Sequence, residues 1–330
     1  MWCCNACQVS DAGLIVPLAA LAVPDGSLRS LRCSPWSRLF RRHSATKSMS
    51  PPSSSARRRA IRSRQNERMR ADDFAYFDVP FAAYAHRGGA MYEPNIHREN
   101  SLHAFKEAVA LGYRYLETDV HATRDGVLLA FHDRVLDRVT DHTGVVAELS
   151  YAQVSEARIH GIDPIPRLSE LLAEFPDARF NIDAKSPAAV ALLAATIEEF
   201  EAYDRVCVSS FGIRRIHELR RRLGMRVPSA ASALGIAANR FLPWLTWVLN
   251  SPAPVLQMPI SVPVASRRLI VLTPPLVKAV HRAGKRVQIW TVDDSETMER
   301  LIDTGVDGIF TDRIDTLKDV LVQHGLWRER

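Results

Sequence analysis

Two carboxylates and one histidine lie close together in this 330-residue chain, with types and spacing suited to metal-assisted chemistry. Glu117 and Asp119 alternate with apolar residues over residues 116–120, which is the period of a β-strand with one acidic face. Side chains two residues apart point to the same side of a strand, so both carboxylates can converge on one hard divalent cation. His132 ends the next apolar run and has a side chain suited to proton transfer. Taken alone, a Glu-x-Asp pair is found more often on a solvated strand face than in a metal site.

Similar side chains follow or end other short apolar runs that predict strands. In a parallel α/β barrel, catalytic groups lie at the carboxyl ends of the strands. The side chains at such ends are His86, Arg87, Glu117, Asp119, His132, Asp183, Lys185, Ser209, Ser210 and Trp290. Random placement seldom collects two histidines, three carboxylates, an arginine and a lysine in these positions. The set therefore favours one metal-assisted site over a scatter of surface residues.

Apolar periodicity predicts the elements that must position these groups. Short apolar runs predict nine strands, and most of the segments between them have the apolar spacing of helices. Strands and helices that alternate over about 240 residues are typical of a parallel α/β domain, and a (β/α)8 TIM-like barrel is the expected fold. The two strands on either side of Asp125 and Gly126 have no helix between them. We therefore expect one of the nine strands to be accessory to the barrel.

Charge is distributed unevenly along the chain. Residues 1–70 hold 13 Lys and Arg but only 3 Asp and Glu, so the formal net charge of +6 arises there and the remaining residues are mildly acidic. The first part is also rich in Arg and Ser, a composition that buries too little apolar surface to fold. We therefore expect residues 1–76 to be a disordered basic leader and residues 77–330 to be the barrel domain. No nucleic-acid partner is expected for the folded body.

The leader has three possible interpretations: a transit peptide, a tether to an anionic surface, or sequence upstream of the true start. Met49 and Met69 are candidate starts for the third, which we favour. Residues 14–23 are apolar but much too short to span a bilayer, and no Lys or Arg precedes them as in a secretory signal. Four of the five cysteines lie in the leader without a disulfide pattern, which favours a reducing compartment. We expect a cytoplasmic location.

Nine motifs in order, from about residue 82 to residue 320, resemble those of the glycerophosphodiester phosphodiesterase family. Each motif is weak alone, but the ordered set is specific. The motifs are His86-Arg87-Gly88, Glu99-Asn100, Glu117-x-Asp119-Val120, Thr123-x-Asp125-Gly126, His132-Asp133, Pro166-x-Leu168-x-Glu170, Asn181-Ile182-Asp183-x-Lys185, Trp290-Thr291-Val292, and Gly305 to Asp312.

The resemblance implies a TIM-like barrel that uses a divalent metal, Mg²⁺ or Ca²⁺, to hydrolyse a glycerophosphodiester to sn-glycerol 3-phosphate and an alcohol. Matched position by position, it implies metal ligands, an acid–base pair and phosphate-binding cations. These are respectively Glu117, Asp119 and Asp183; His86 and His132; and Arg87 and Lys185. We expect Glu99 to support or contact the metal. Trp290 is expected to line the substrate pocket, with a place in the barrel core as the alternative.

Elementary chemistry supports these implied roles. A phosphodiester is anionic, so attack on it requires cationic groups to neutralise its charge. The leaving oxygen needs a proton and the attacking hydroxyl must lose one, which two histidines with pKa values near about 6.5 can do at neutral pH. The attacking group in this family is thought to be the neighbouring glycerol hydroxyl, with water opening the cyclic phosphate afterwards. The sequence does not separate this route from direct attack by water.

Two positions depart from the common family pattern. Arg98 stands where a proline usually precedes Glu-Asn, which is a change in a loop. Asp183 stands where Glu is usual, and its side chain is one methylene shorter. The second change bears on metal preference. The alcohol group, the preferred metal and the oligomeric state are left open.

Residues 241–249 are apolar and carry two tryptophans, on the connection after the sixth barrel strand. They predict either a packed crossover helix or a lipid-facing lid that makes peripheral membrane contact. A lid would favour membrane-borne lysophospholipids, hydrolysed by the same site in the manner of a lysophospholipase D. A catalytically silent barrel, whose basic tail binds RNA or an anionic membrane, is the alternative from a different class. The intact His86, His132, Glu117 and Asp119 argue against it.

Overall fold

The computed structural model describes residues 69–242, 252–264 and 267–328. Strands and helices alternate through these ranges. The strands are β1 (Ala82–His86), β2 (Tyr115–Ala122), β3 (Leu128–Ala130), β4 (Arg158–Ile159), β5 (Asp163–Pro164), β6 (Arg179–Ala184), β7 (Val206–Ser209), β8 (Val255–Met258), β9 (Ser261–Val264), β10 (Arg267–Ile270), β11 (Arg286–Ile289) and β12 (Gly308–Thr311). The helices are α1 (Leu102–Ala110), α2 (Tyr151–Val154), α3 (Leu168–Glu174), α4 (Pro187–Glu199), α5 (Ile213–Leu223), α6 (Ala233–Phe241), α7 (Pro274–Arg282), α8 (Ser295–Thr304) and α9 (Ile314–Gln323).

Seven parallel strands form one sheet, in the order β7, β6, β2, β1, β12, β11, β8. A further segment joins its two edges, because isolated parallel bridges pair Ser229 with Val208 and Ala230 with Val255. Eight parallel strand positions therefore surround the axis, as in a TIM-like (β/α)8 barrel. The fold class predicted from the sequence is confirmed. One of the nine predicted strands, around residues 229–230, is present only as these two bridges.

Of the nine predicted strands, β3 is the one that is accessory to the barrel. β3 pairs antiparallel with the end of β2, with Val120 opposite Ala130. The amide of Phe131 also donates to the carbonyl of Asp119 (2.9 Å). This short hairpin returns the chain to the carboxyl end of β2 without a crossover helix. It therefore places His132 beside the acidic strand.

The packed body begins before the predicted domain boundary. Residues 69–76 contain a short 3-10 helix, Ala71–Asp73, and bury Met69 and Tyr76 against the amino end of the barrel. The hydroxyl of Tyr115 donates to the carbonyl of Tyr76 (2.7 Å). The body therefore includes residues 69–76, which sequence analysis placed in the leader. The remainder of the leader, residues 1–68, lies outside the described residues.

A layer of polar side chains fills the barrel interior below the strand ends. Gln257 Nε2 donates to Asn181 Oδ1 (2.7 Å) and to Gln288 Oε1 (3.0 Å), and Gln288 Nε2 donates to Tyr84 Oη (2.9 Å). An unpaired buried polar group costs roughly 1–3 kcal/mol, and these groups avoid much of that cost by pairing. These side chains come from the interior of their strands, and they lie beneath the groups at the carboxyl ends.

None of the described helices is long and apolar enough to cross a lipid bilayer. The apolar run at residues 14–23 lies outside the described residues, and so do residues 243–249 of the predicted lid. The described start of that lid, Phe241 and Leu242, comprises the last residue of α6 and the residue after it.

Candidate active site

Most of the predicted site residues meet at one rim of the barrel, where β1, β2 and β6 end. In the sheet register His86 is paired with Glu117, and Asp119 is paired with Asp183. Parallel strands in register place such residues side by side on the same face. β2 is buried along its whole length, so its acidic face points into the barrel and not to solvent. Lys185 follows β6 and reaches the same carboxylates.

His86 is held by a carboxylate from the far end of the chain. Its Nδ1 lies 2.8 Å from Asp312 Oδ1, and its Nε2 lies 3.8 Å from Glu117 Oε2. Burial lowers the pKa of His86, but Glu117 and Asp312 outweigh burial, and the net pKa lies above the ordinary value of 6.5. Asp312 is itself fixed, since its amide donates to Asp293 Oδ1 (2.8 Å). The Nδ1 contact leaves Nε2 directed at the interior, where a reacting oxygen can sit.

His132 also has an aspartate as the partner of its Nδ1. Its Nδ1 lies 2.6 Å from Asp133 Oδ1, and Asp133 is also contacted by the guanidinium of Arg138. Burial raises the pKa of Asp133, but its hydrogen bonds to His132 and Arg138 lower it below the ordinary range. His121, to which sequence reasoning assigned no role, is buried and donates from Nε2 to the carbonyl of His132 (3.1 Å). Backbone and side chain of His132 are therefore both held.

The turn after β1 explains the His-Arg-Gly-Gly sequence. Arg87 has a left-handed backbone (φ 51°), and Gly88 and Gly89 follow with φ of 86° and 87°. A Cβ on Gly88 would lie 2.7 Å from the Cβ of Ala104 in α1, so no larger residue fits there without displacement. The turn directs the amide of Arg87 to Glu117 Oε2 (3.1 Å). Left-handed non-glycine residues cost about 1 kcal/mol or more and are concentrated at functional sites.

Glu99 links two arginines at the rim. Arg87 Nη1 donates to Glu99 Oε1 (3.1 Å), and Arg138 donates to both carboxylate oxygens (2.7 and 3.0 Å). Burial raises the pKa of Glu99, but Arg138 and Arg87 outweigh burial and hold it below the ordinary value. Arg87 Nε lies 3.5 Å from Asp119 Oδ2 without forming a hydrogen bond. Glu99 therefore connects the His132 side of the site with Arg87, the arginine predicted to bind the phosphate.

Lys185 lies between two of the predicted metal ligands. Its Nζ is 2.8 Å from Asp119 Oδ1 and 2.8 Å from Asp183 Oδ2. Burial lowers the pKa of Lys185, but the two carboxylates outweigh burial and raise it above the ordinary value of 10.5. The ammonium is therefore charged at neutral pH, in the position where the carboxylates attract a cation.

Burial and mutual repulsion are visible in the pKa values of the carboxylates. Burial and the neighbouring Asp119 raise the pKa of Glu117 to about 7. Burial also raises the pKa of Asp183. For Asp119, Lys185 and Arg87 outweigh burial, and its pKa is lowered. The site therefore holds more buried negative charge than its cations balance at high pH.

The carboxylates fit a hard cation in chemistry, although they are not preassembled around one. Within the described ranges, no group of three or more His, Cys, Asp or Glu side chains is placed to hold a metal ion. Asp119 Oδ2 and Asp183 Oδ1 are nevertheless buried without a hydrogen-bond partner. Such oxygens are costly when unpaired, and Mg²⁺ and Ca²⁺ prefer oxygen ligands of this type. Together with Glu117 they make an oxygen-only donor set suited to either ion.

Trp290 lies at the rim and not wholly in the core. It is half-buried, and its ring meets the ring of Phe211 edge-on with centroids 5.6 Å apart. Phe211 is 61% exposed, and its ring centroid lies 5.5 Å from Lys185 Nζ. Both alternatives for Trp290 therefore have some support, because its inner face also packs on the core. Ser210 is buried and donates to the carbonyl of Ala184 (2.7 Å), which is a structural contact.

Besides His121, sequence reasoning missed four residues that shape the site. Asp312 and Asp133 were present in the quoted motifs, yet no role was given to them. Arg138 lies in an irregular loop, and Phe211 follows a strand-end serine pair without any motif. A usable signal existed for Asp133, because an acid directly beside a histidine often orients the ring.

Comparisons with known proteins agree with this geometry. The family model for the glycerophosphoryl diester phosphodiesterase family matches residues 86–316. The chain is 40% identical over 257 residues to "Probable glycerophosphodiester phosphodiesterase 2" of Mycobacterium tuberculosis, covering 74% of this chain and 92% of that protein.

Solved structures share the fold. A glycerophosphodiester phosphodiesterase from Agrobacterium tumefaciens has a TM-score of 0.59 at 23% identity and covers 72% of this chain and 99% of its own. A phosphodiesterase from Oleispira antarctica, in complex with the product sn-glycerol-3-phosphate, has a TM-score of 0.61 at 21% identity and covers 75% and 99%.

A TIM-like barrel with paired histidines and cationic side chains at its carboxyl rim defines the class as a phosphodiester hydrolase. The chain belongs to the glycerophosphoryl diester phosphodiesterase family. It is an enzyme of that family, and the family identified from the sequence is confirmed.

Proposed function

We propose that this enzyme hydrolyses small glycerophosphodiesters to sn-glycerol 3-phosphate and an alcohol, with the help of a divalent cation. The observation that carries the proposal is the convergence of two histidine–aspartate pairs and two cationic side chains on one buried carboxylate cluster. The product complex of the Oleispira antarctica phosphodiesterase supports the same product for a protein of the same fold.

Arg87 and Lys185 are the groups proposed to bind the phosphate. Both carry a positive charge at neutral pH, and both lie at the rim with part of the side chain reachable by solvent. Arg87 Nε has no hydrogen-bond partner, so it has a donor free for a phosphate oxygen. Two cations of this kind stabilise the charge that develops on the phosphoryl oxygens.

Glu117, Asp119 and Asp183 are proposed to hold the cation, Mg²⁺ or Ca²⁺. When bound, the cation would supply Lewis acidity toward the phosphoryl group. The carboxylates would hold it by charge, and Asp119 Oδ2 and Asp183 Oδ1, which are buried without a hydrogen-bond partner, would be available as ligands. Lys185, which lies between Asp119 and Asp183, is proposed to bind the phosphate from the same side of the site. Asp183 is one methylene shorter than the usual Glu, so metal preference is where this chain can differ from its relatives.

His86 and His132 are proposed to carry the protons. The aspartate on each Nδ1 holds that nitrogen as the hydrogen-bond donor, so each Nε2 exchanges protons with the substrate. One imidazole removes a proton from the attacking hydroxyl, and the other protonates the leaving oxygen. The hydroxyl belongs to the glycerol or to water. A cyclic glycerophosphate seen during turnover by phosphorus NMR would support the glycerol hydroxyl.

The test is release of glycerol 3-phosphate from glycerophosphocholine and glycerophosphoethanolamine, before and after treatment with EDTA. We expect release that EDTA stops and that added Mg²⁺ or Ca²⁺ restores, and release that is slower by about a thousandfold from His86→Ala. Release from neither diester would refute the proposed substrate class. Release that EDTA does not affect would refute the cation.

Metal binding is tested separately from activity by calorimetric titration of the EDTA-treated enzyme. Asp183→Asn should weaken Mg²⁺ or Ca²⁺ binding by about tenfold or more, because it removes a charged oxygen ligand. Asp303→Asn is the matched control, since Asp303 is an exposed carboxylate at the end of α8. Equal affinity in both variants would remove Asp183 from the ligand set.

A lysophospholipid is the second candidate substrate, hydrolysed by the same site in the manner of a lysophospholipase D. The observation that favours it is the exposed ring of Phe211 beside Lys185 and Trp290, which offers apolar surface next to the phosphate-binding groups. The division into a basic leader and a barrel, and a cytoplasmic location, stay predictions. Proteolysis of the intact chain and cell fractionation test them.

A further inference from the structure

Large apolar side chains that are exposed to solvent lie mostly at one end of the molecule. Of the twelve such side chains among the described residues, only Met225 and Val322 lie at the amino end of the barrel. Six others come from consecutive connections at the carboxyl end, and we call them the apolar rim. They are Phe211, Leu234, Phe241, Leu242, Val264 and Ile270.

Five members of the apolar rim, all except Phe211, belong to α6, to the residue after it and to the β9–β10 hairpin, which contact each other. α6 and the β9–β10 hairpin follow neighbouring strand positions, and Arg240 Nε near the end of α6 donates to the carbonyl of Ile270 on β10 (3.2 Å). Ile236 of α6 and Val262 of β9 pack on the same core cluster beneath them. The outer faces of helix and hairpin therefore form one surface. Leu234 on this surface is 66% exposed and Ile270 is 57% exposed, so both are free for a partner.

Phe211 is the member of the apolar rim that lies beside the proposed catalytic and phosphate-binding groups. Its ring lies against Trp290 and beside the Lys185 ammonium, and more than half of it faces solvent. An acyl chain on the substrate would therefore meet apolar surface as soon as it leaves the phosphate-binding cations. Scattered exposed apolar residues are normal on a protein surface, but a contiguous set at the mouth of a site marks an interaction surface.

The charge around this surface is one-sided. α6 and the β9–β10 hairpin contain no Asp or Glu among their described residues, although the chain after residue 70 is acidic overall. They carry Arg240, Arg267 and Arg268, and the latter two are exposed. Basic residues beside exposed apolar side chains complement the anionic surface of a lipid bilayer.

We propose that the apolar rim, with Arg240, Arg267 and Arg268, docks on anionic lipid bilayers and presents the active site to diesters carried in the membrane. The acyl-bearing part of the diester then lies along Phe211. The sequence predicted membrane contact at residues 241–249, and Phe241 and Leu242 are the described part of that prediction. The choice of substrate rests on the proposed function, whereas docking itself does not.

The test is sedimentation of the full chain with vesicles of phosphatidylcholine alone, or of equal parts phosphatidylcholine and phosphatidylglycerol. Arg267→Gln with Arg268→Gln should weaken binding to the anionic vesicles by about thirtyfold, since each basic residue at such a surface contributes about fivefold. Leu234→Ser with Ile270→Ser should weaken it by about tenfold on both vesicle types.

Matched pairs at other places keep the test specific. Met225→Ser with Val322→Ser removes two exposed apolar side chains at the amino end. Lys278→Gln with Arg282→Gln removes two exposed charges from α7. The basic leader is present in every variant and adds the same background. Equal losses in the rim pairs and the control pairs would overturn the proposal, and so would a rim pair that changes only self-association in gel filtration.

Activity separates docking from catalysis. The rim pairs should lower hydrolysis of lysophosphatidylcholine in anionic vesicles by at least as much as they lower binding, and should leave hydrolysis of soluble glycerophosphocholine within about twofold. If neither diester is hydrolysed while the rim pairs still weaken vesicle binding, the proposed function fails and docking stands. If vesicle binding is unaffected while glycerophosphocholine is hydrolysed, docking fails and the proposed function stands.

Discussion

The two histidines of the site have the same partner type but different surroundings. His86 belongs to the barrel itself, and its partner Asp312 follows the last strand, beside β1. His132 stands on the accessory hairpin, and its partner Asp133 depends on Arg138 from an exposed loop. The side chain of His86 is 16% exposed, whereas that of His132 is 32% exposed.

This difference has a functional meaning. The His86 pair is fixed by barrel closure, so its position relative to the carboxylates varies little. The side chains of the His132 pair can adjust more, because Asp133 relies on Arg138, which is in turn held by the side chain of Glu99. All glycerophosphodiesters share the glycerol phosphate end, and they differ in the second alcohol. We infer that the His86 side serves the common end and the His132 side faces the variable one.

The largest expected effect is loss of either imidazole. His86→Ala and His132→Ala should each lower kcat for glycerophosphocholine by about a thousandfold, the usual contribution of a positioned acid or base. Groups that act as a unit are non-additive, so the double variant should lose little more than the weaker single variant. Additive losses would show that the two histidines act in separate steps.

Replacing the two aspartates should give losses of kcat that differ more from each other than those of the two histidine variants. Asp312→Asn should lower kcat by about a hundredfold, because it removes the carboxylate that holds Nδ1 of a buried ring. Asp133→Asn should cost about tenfold, since its histidine is more solvated and is also held through its backbone by His121. The pH profile of kcat/KM is the deciding measurement.

A structural defect would lower kcat without moving that profile. Asp312→Asn should instead shift the limb that titration of His86 controls to lower pH, because Asp312 is one of the groups that raise the pKa of His86. An unshifted limb together with a lower melting temperature would reduce Asp312 to a structural residue.

Whether a feature of the fold or site could be predicted depends on how far apart in the chain the interacting residues lie. The alternation of strand and helix patterns predicted the barrel. Strand-end chemistry and motif matching predicted Glu117, Asp119, Asp183 and Lys185, which lie together at one rim. These signals are local in the chain. The carboxylate that holds His86 lies 226 residues away and becomes its neighbour only when β12 closes on β1. No local pattern encodes that closure.

Two further features were hidden for other reasons. Residues 69–76 were averaged into a basic leader, although their aromatic side chains are buried under the barrel. Arg138 lies in a loop without periodicity, so its bridge between Glu99 and Asp133 follows from tertiary geometry alone. Sequence patterns report burial and period, but they do not report which polar groups meet in a loop.

The pH dependence of protein stability tests the His86 side of the site through Glu117, which contacts His86 and not His132. Burial and Asp119 raise its pKa to about 7, above the ordinary value of 4.5. Between these values the folded protein holds a proton that the unfolded chain has released, so stability falls as pH rises from about 4.5 to about 7 and stays lower above it. Glu117→Gln should therefore stabilise the EDTA-treated enzyme at pH 8 by about 1–3 kcal/mol.

Denaturant titration at several pH values measures this effect. At pH 4 the variant and the parent should be equally stable, since the side chain is protonated in both states. Added Mg²⁺ or Ca²⁺ should stabilise the parent and not the variant, because only the parent keeps the full set of ligands. Equal stability of the two EDTA-treated proteins at pH 8 would contradict the raised pKa.

The smallest effect is expected at Arg98, which holds the loop of the His132 side. Arg98 donates to both oxygens of Asp163 (2.6 and 2.7 Å) and so ties the β4–β5 hairpin to the turn that carries Glu99. Arg98→Ala should cost about 1 kcal/mol of stability, as expected of a half-exposed bidentate ion pair, and lower kcat less than threefold. A double-mutant cycle with Asp163→Asn isolates the pair.

The loss in kcat should be larger for substrates with bulky alcohols than for glycerophosphoethanolamine, because only the adjustable side of the site is loosened. Equal losses for all alcohols would show that the two histidine sides do not divide the substrate between them.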